Sequence, residues 1–387
     1  MPLAKLVHIT TVPITLGFLR GQAAFMRQHG IVAEAVTSPG EGIAEFVESE
    51  AIRVHEIPMT RVISPLKDSL ALVRLVRLFR ALRPDILHAH TPKAGLLGTI
   101  ASRIAGVKVT IYQLHGLPMV TATGLRRMFL LWSDRLACAL ADCVICVGQG
   151  VREEALEHGL CHPEKAKVFL GGSANGVDAM SRFNPADVSA GARAEIRSEC
   201  GIPSEAFVVG YLGRVVGDKG LRDLVKAWER LSVNANLRLL IVGPFEPQDP
   251  LPPEIVAILT SDPKIILAGV RWDTPRWLAA MDLVVLPTYR EGLPVVPLEA
   301  AAMGLPVVAT KVRGCNEAVE DGVTGTLVDP RDPVGLAIAI ERYVSDPDLC
   351  ASHGAAGRRR MLEVFRPELI WEALLEEYQE LLATKAA

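Results

Sequence analysis

The sequence predicts an α/β protein built from two doubly wound, Rossmann-like domains with a cleft between them. Three observations carry this. Short apolar runs of strand length alternate with helical stretches along the chain, and such alternation implies parallel sheets covered by helices on both faces. At 387 residues the chain is too long for one ordinary core. The alternation also restarts after a Pro-, Gly- and Ala-rich stretch near the middle.

In order, residues 6–10 read as a strand, 18–29 as a helix and 31–36 as a strand. Helix 67–82, strand 85–90, helix 94–105, strand 107–114, helix 124–141 and strand 143–147 follow. A strand over 167–170 marks the restart, and the Gly-, Ala- and Pro-rich stretch after it, to about 187, reads as a linker. Strands at 206–212, 237–242, 264–267, 283–286, 306–309 and 325–328 belong to the second domain. Its helices begin near Gly220, Pro275, Pro294, Gly314 and Pro333. The amphipathic helix 367–382 (Leu369, Ile370, Leu374, Leu375, Tyr378, Leu381, Leu382) is expected to pack back across the domain junction. The domains are therefore placed at 1–180 and 181–366, with the segment 367–387 bridging them.

Composition bounds the function. The chain is 50% hydrophobic and 22% charged, with a formal net charge of -3, which is the balance of a globular protein and not of a nucleic-acid coat. Aromatics at 5% argue against a base-stacking surface, so no nucleic-acid partner is expected. The first residues lead straight into a strand and lack the apolar core and cleavage site of a signal peptide. No apolar run reaches the roughly 18 residues of a spanning helix. The seven cysteines are odd in number and scattered, as in a reducing cytoplasm. Cys143 and Cys146 form a C-x-x-C inside an apolar run and read as buried strand thiols, since no second pair completes a zinc site.

Two motifs of the second half carry chemistry. Strand 206–212 runs into Gly213-Arg214-Val215-Val216-Gly217-Asp218-Lys219-Gly220. Its glycines allow close backbone approach. Arg214 can bind a phosphate bidentately, and Lys219 adds a second cation beside a helix N-terminus. The set suits a diphosphate held without metal. It is neither a P-loop nor a dinucleotide fingerprint, because both glycine spacings are absent. The second motif, Glu291-Gly292-Leu293-Pro294 through Glu299, places one acid in a strand-to-helix turn and another over one turn along the helix that follows. Amides at Gly292 and Leu293 can hold anions or hydroxyls. Glu291 can accept from hydroxyls, and Glu299 can reach the vicinal diol of a ribose. In open α/β sheets this end of the strands is where ligands bind.

Together the motifs resemble those of the retaining glycosyltransferases of the GT-B fold, glycosyltransferase family 4. Its pattern is G-R-x-x-x-x-K-G after the first strand of the C-terminal domain and E-x7-E beginning with E-G. The resemblance covers essentially the whole chain, including Asn-Gly-Val-Asp at 175–178. It implies an acceptor-binding first domain and a nucleotide-sugar-binding second domain. Arg214 and Lys219 would bind the donor diphosphate, with Gly292, Leu293 and Gly17, the one glycine left of an N-terminal loop that is Gly-rich in the family. Glu291 would contact the donor sugar and Glu299 the ribose. The loop 268–273, with Val270 and Arg271, would read the base, and UDP is the base expected. His115 matches the family histidine that hydrogen-bonds the donor sugar. His90 and Lys93 would face the acceptor, while His88 reads as a satisfied core residue. The segments His-Thr-Pro-Lys-Ala-Gly (90–95) and His-Gly-Leu-Pro (115–118) resemble the subgroup that extends undecaprenyl-diphosphate-linked sugars in capsule or O-antigen assembly.

The implied reaction moves a sugar from a nucleotide diphosphate to an acceptor hydroxyl with retention and with no metal or other cofactor. The leaving oxygen would take the acceptor proton. A glycosidase would also use two carboxylates, but the adjacent cations call for phosphate. Two rivals stand beside this: a UDP-sugar epimerase of the same fold, and a non-catalytic nucleotide-sugar-binding protein. Residues 61–83 carry Arg61, Lys67, Arg74, Arg77, Arg80 and Arg83 against Asp68, with apolar residues in the gaps, and 124–132 is similar. Such helices fit an anionic membrane surface, and the expected location is the cytoplasm or the inner face of its membrane.

Overall fold

The computed structural model describes residues 4–60, 62, 64–188, 191–247 and 249–386. The chain divides into two compact units. One runs to Gly176 and resumes at Pro367; the other spans Val177–Arg366.

The first unit holds a seven-stranded parallel sheet: β1 (Ala4–Ile9), β2 (Ile31–Thr37), β3 (Val54–Glu56), β4 (Ile86–His90), β5 (Val109–Leu114), β6 (Cys143–Cys146) and β7 (Ala166–Lys167). Their order is β3-β2-β1-β4-β5-β6-β7. Strands β4, β5 and β6 are buried at every residue. That explains the unbroken apolar run of β6, since a central parallel strand has helices on both faces; β4 and β5 bury His88, His90, Thr110 and Gln113 among their apolar residues. Cys143 and Cys146 are buried in β6.

The second unit holds a six-stranded parallel sheet: β8 (Phe207–Leu212), β9 (Leu237–Val242), β10 (Ile265–Gly269), β11 (Leu283–Leu286), β12 (Val307–Thr310) and β13 (Gly325–Val328), ordered β10-β9-β8-β11-β12-β13. The helix Leu221–Leu231 shows how sequence sets these layers. Leu221, Leu224, Val225, Trp228 and Leu231 recur at helical spacing and are all buried.

Several expectations are corrected. Residues 18–29 do not form one helix. A 3-10 turn, Pro13–Leu19, is separated from the helix Gln22–Gln28 by Gly21 in a left-handed conformation. The strand at 167–170 shrinks to β7, two residues paired with β6, so it closes the first sheet and does not open the second. Strand β3 and the helices Ile43–Glu50, Gln149–Glu157, Ala192–Glu199, Pro253–Ser261 and Pro347–Val364 were not foreseen. The last of these carries Gly354 and Gly357 mid-helix, which lowers its propensity. The structure needs the first: a Cβ on Gly354 would lie 2.0 Å from the Gly304 carbonyl. This close approach lets Pro347–Val364 pack against the helix Val295–Ala302.

The helix Pro367–Ala386 returns to the first unit. Ile370, Leu374, Leu375 and Tyr378 are buried in the same cluster as Leu6, Ile31, Ile86 and Ile111. Trp371 Nε1 donates to Asn175 Oδ1 at 2.7 Å, and Lys167 Nζ pairs with Glu377 at 2.6 Å.

Candidate active site

In the second sheet the strand order reverses between β8 and β11. Loops leaving the C-terminal ends of such a pair diverge, and the crevice between them is where ligands sit. Arg214 and Lys219 follow β8, and Glu291 follows β11. The two loops are sewn together at Asp218. Its carbonyl accepts from the Tyr289 amide at 2.9 Å, and its carboxylate pairs with Arg290 at 3.2 Å. The Asp218 amide donates to Asp249 Oδ2 at 2.8 Å. Gly220 permits the approach: it has φ +71°, and a Cβ there would sit 1.8 Å from the Pro287 carbonyl.

This framework brings Lys219 onto Glu291. The ammonium donates to Glu291 Oε1, and both side chains are largely buried. Arg214 does not join them. It pairs with Glu246 at 2.9 Å, in the loop after β9, and is about half exposed at 47%. Sequence reasoning missed Glu246, Asp249 and the structural use of Asp218. The Gly243-Pro244 turn after the β9 run was the available signal that Glu246 lies at the same end of the sheet.

Gly292 and Leu293 lie just before the helix Val295–Ala302. Among the described residues, the amides of Glu291, Gly292 and Leu293 have no hydrogen-bond acceptor. Glu299, on that helix, is half-buried and its carboxyl has no hydrogen-bond partner among the described residues. Withdrawal from water pushes its pKa up to about 7, partly opposed by Arg182. The turn thus holds unpaired amides and the helix after it an unpaired carboxyl, all with hydrogen bonds unspent. The helix is held from behind by Arg358, which donates to the Ala302 carbonyl and to Asn184 Oδ1.

Val270 and Arg271 follow the edge strand β10. Val270 is exposed. The Arg271 guanidinium stacks over Trp277, 4.9 Å from the ring centre, and faces Glu199 at 3.9 Å. Among the described residues, no hydrogen bond or ion pair joins Val270 or Arg271 directly to Arg214, Lys219 or Glu291.

In the first unit the order reverses between β1 and β4, and histidines gather there. Parallel register sets His8 of β1 beside His88 of β4. His8 Nδ1 lies 3.0 Å from His90 Nε2, and His90 Nδ1 lies 3.1 Å from His115 Nε2. His90 is buried with both ring nitrogens occupied, so it has no atom to offer an acceptor, contrary to expectation. Lys93 is likewise spent. Its ammonium donates to both Asp68 oxygens, at 2.7 and 2.9 Å, and to the Val62 carbonyl at 2.6 Å, pinning the entry to the helix Pro65–Leu82. His88 is core, as expected, but only half satisfied: Nδ1 meets the Tyr378 hydroxyl at 2.7 Å, and Nε2 has no hydrogen-bond partner among the described residues.

His115 is half-buried, with Phe18 stacked on it at 4.9 Å. Burial lowers its pKa to about 4 and that of His8 to about 3, so both rings are neutral near pH 7. Gly17 sits exposed in the 3-10 turn Pro13–Leu19, with open space where a Cβ would lie, so nothing local requires glycine. Between His90 and Pro92, Thr91 takes φ 66° and ψ 150°, a strained conformation for a β-branched residue. Its hydroxyl meets Thr11 Oγ1 at 2.7 Å, which holds it in place. Nitrogens of His8, His88 and His90 lie within 4.8 Å of one another. His90 could ligate a metal only by giving up one of its two ring contacts, to His8 or to His115.

Two family models match the chain. One for a glycosyl transferase 4-like domain covers residues 18–172, and one for group 1 glycosyl transferases covers 206–346. The chain is 30% identical over 379 residues to the capsular polysaccharide biosynthesis glycosyltransferase CapM of Staphylococcus aureus, spanning 98% of this chain and 97% of CapM. The chain belongs to glycosyltransferase family 4, with the GT-B fold. This glycosyltransferase is also 26% identical over 350 residues to the UDP-Gal:alpha-D-GlcNAc-diphosphoundecaprenol alpha-1,3-galactosyltransferase of Escherichia coli, covering 88% of each. It matches the structure of Anabaena HepE in complex with UDP-glucose with a TM-score of 0.80 at 25% identity, covering 97% of this chain and 100% of HepE. The enzyme is therefore a glycosyltransferase, similar along its length to one of capsular polysaccharide biosynthesis.

Proposed function

We propose that the enzyme moves a hexosyl or N-acetylhexosaminyl group from a UDP-sugar to a hydroxyl of a polyprenyl-diphosphate-linked glycan, with retention at the anomeric carbon. The observation that carries the donor side is the constellation at the β8/β11 reversal: Lys219 on Glu291, with free amides at Gly292 and Leu293. Charge that builds on the departing diphosphate is met there by Lys219, by Arg214 turning from Glu246, and by oriented peptide dipoles. Those groups supply what a divalent cation supplies elsewhere, so the reaction is expected to need none. Glu291 orients the donor sugar, and its contact with Lys219 holds it in place. Glu299 accepts from the ribose diol, and the loop at Val270 and Arg271 meets the base. His115 hydrogen-bonds the donor sugar. The acceptor's oxygen attacks from the face that the diphosphate leaves, and the leaving oxygen takes its proton.

The lipid-linked acceptor rests on two supports. The Escherichia coli relative is named for such a substrate. The helix Gly124–Leu140 also begins with Leu125, Arg126, Arg127, Met128 and Phe129 all exposed, and Trp132 is 63% exposed. No described helix is long and apolar enough to cross a membrane. A peripheral position on the cytoplasmic face, with this helix against anionic lipid, fits these facts. Arg61, counted with the basic residues of the neighbouring segment, lies outside the described residues.

The test is an incubation with labelled UDP-sugars, with and without a polyprenyl-diphosphate acceptor and with and without chelator. UDP release that requires acceptor, survives chelator and gives an α-linked product from an α-linked donor is expected. Isomerised donor without acceptor would replace this reading with epimerisation, and no turnover at all would leave binding alone. In the same assay Glu291→Ala should lose transfer by more than about a hundredfold.

A further inference from the structure

The histidines of the first unit form a continuous line. His8 Nδ1 meets His90 Nε2 at 3.0 Å, and His90 Nδ1 meets His115 Nε2 at 3.1 Å. A neutral imidazole has one donor and one acceptor nitrogen. The choice made at one ring is therefore imposed on the next, and only two neutral arrangements satisfy both contacts. In one, His8 Nδ1–H donates to His90, His90 Nδ1–H donates to His115, and His115 is left with its proton on Nδ1. In the other every proton sits on Nε2, both donations reverse, and Nδ1 of His115 becomes an acceptor.

The two differ at the inner end. The second arrangement leaves an N–H on Nε2 of His8, in a residue only 2% exposed and with no acceptor among the described residues. The first leaves only a lone pair there. A donor with no acceptor and little access to water is a costlier defect than a lone pair in the same place. An imidazolium at His90 could donate both ways, but it would be a buried charge with no carboxylate among its partners. The groups around the line are uncharged: Phe18 stacks on His115, His88 lies 4.3 Å from His90 ring to ring, and Tyr378 bonds His88. Burial of the rings keeps their pKa values below the ordinary range.

We propose that His8 and His90 are positioning residues that lock His115 in the tautomer protonated on Nδ1, so that it meets a sugar hydroxyl as a donor. The proposal rests on the reading that His115 touches the donor sugar. It accounts for histidines in two adjacent strands where a core would otherwise carry aliphatic side chains. It also makes His8, which contacts His90 and not His115, a determinant of what His115 can do.

The experiment uses the full-length enzyme labelled with nitrogen-15 at histidine. Two-bond proton–nitrogen spectra report which nitrogen of each ring is protonated. Wild type should show His115 neutral and protonated on Nδ1, unchanged from pH 5.5 to 8. His8→Leu should turn His115 into a mixture of tautomers and lower kcat about tenfold, with donor KM within about twofold. His8→Asn, whose amide N–H can replace the Nδ1–H, should restore both the spectrum and kcat. An unaltered His115 spectrum in His8→Leu, or Nε2 protonation in wild type, would overturn the proposal. If His8→Leu does not fold, the wild-type spectrum and His8→Asn still decide it. Full turnover by His115→Ala would overturn the underlying reading of that residue, whatever the spectra show.

Discussion

At the scale of residues, the cations of the donor site are matched with carboxylates: Lys219 with Glu291 and Arg214 with Glu246. A diphosphate must compete for Arg214. An exposed pair of this kind is worth about 0–1 kcal/mol. Glu246→Gln should therefore tighten UDP binding by up to about fivefold by calorimetry, and weakened binding would show that Glu246 helps to hold the nucleotide. Glu299 offers a second handle. Its carboxyl pKa is raised to about 7 in the fold from an ordinary value near 4.5. The folded state therefore holds a proton that the unfolded chain releases first. Stability falls as pH rises from about 4.5 through about 7, and the loss is complete above that. Glu299→Gln removes the group. It should melt like wild type near pH 4.5 and be about 1–3 kcal/mol more stable at pH 8. It should also bind UDP about tenfold more weakly at pH 8, because the charged acceptor is gone. Equal melting at pH 8 would mean that the carboxyl is not desolvated.

At the scale of elements, the helix Gly124–Leu140 is the sharpest anomaly. Its second half buries Asp134, Ala137 and Cys138, while its first half leaves Leu125, Met128, Phe129 and Trp132 in solvent beside two arginines. Replacing Phe129 and Trp132 by Ser should reduce co-sedimentation with vesicles of anionic lipid at least tenfold. It should leave turnover on a soluble acceptor near wild type, and equal sedimentation would remove the helix from the lipid contact. What could be read beforehand follows from how much of an element's energy is local. The central strands were legible because burial on both faces makes them uniformly apolar, as in Leu283–Leu286. The motif Glu291-Gly292-Leu293-Pro294 was legible because glycine and proline mark the turn into Val295–Ala302. Pro347–Val364 was not, because its glycines serve a neighbour distant in sequence. Glu246 and His8 were missed for a related reason. Their partners, Arg214 and His90, lie 32 and 82 positions away, and only sheet topology brings them together.

At the scale of the whole molecule, two cores of similar make-up are joined by a chain that leaves the first unit at Gly176 and rejoins it at Pro367. The rejoining helix inserts Ile370, Leu374, Leu375 and Tyr378 into the first core. Each such side chain contributes about 1.5–3 kcal/mol when buried, so together they rival the whole net stability of a domain. A protein ending at Arg366 should keep one cooperative melting transition, that of Val177–Arg366, while protease digests the remainder. Two intact transitions would show that the helix is dispensable. The same loss would strip His88 of its Tyr378 partner, directly beside His90.

The closing helix also bears on synthesis. The 190 residues of Val177–Arg366 must leave the ribosome before it can emerge. At about 5–20 residues per second that is a delay of roughly 10–40 s. Throughout it, the nascent amino-terminal lobe exposes an unfilled apolar trough between the helix Gln22–Gln28 and β5, while the lobe made later can already complete itself. Maturation thus runs in reverse of translation, and the early lobe is the natural client of a holding chaperone.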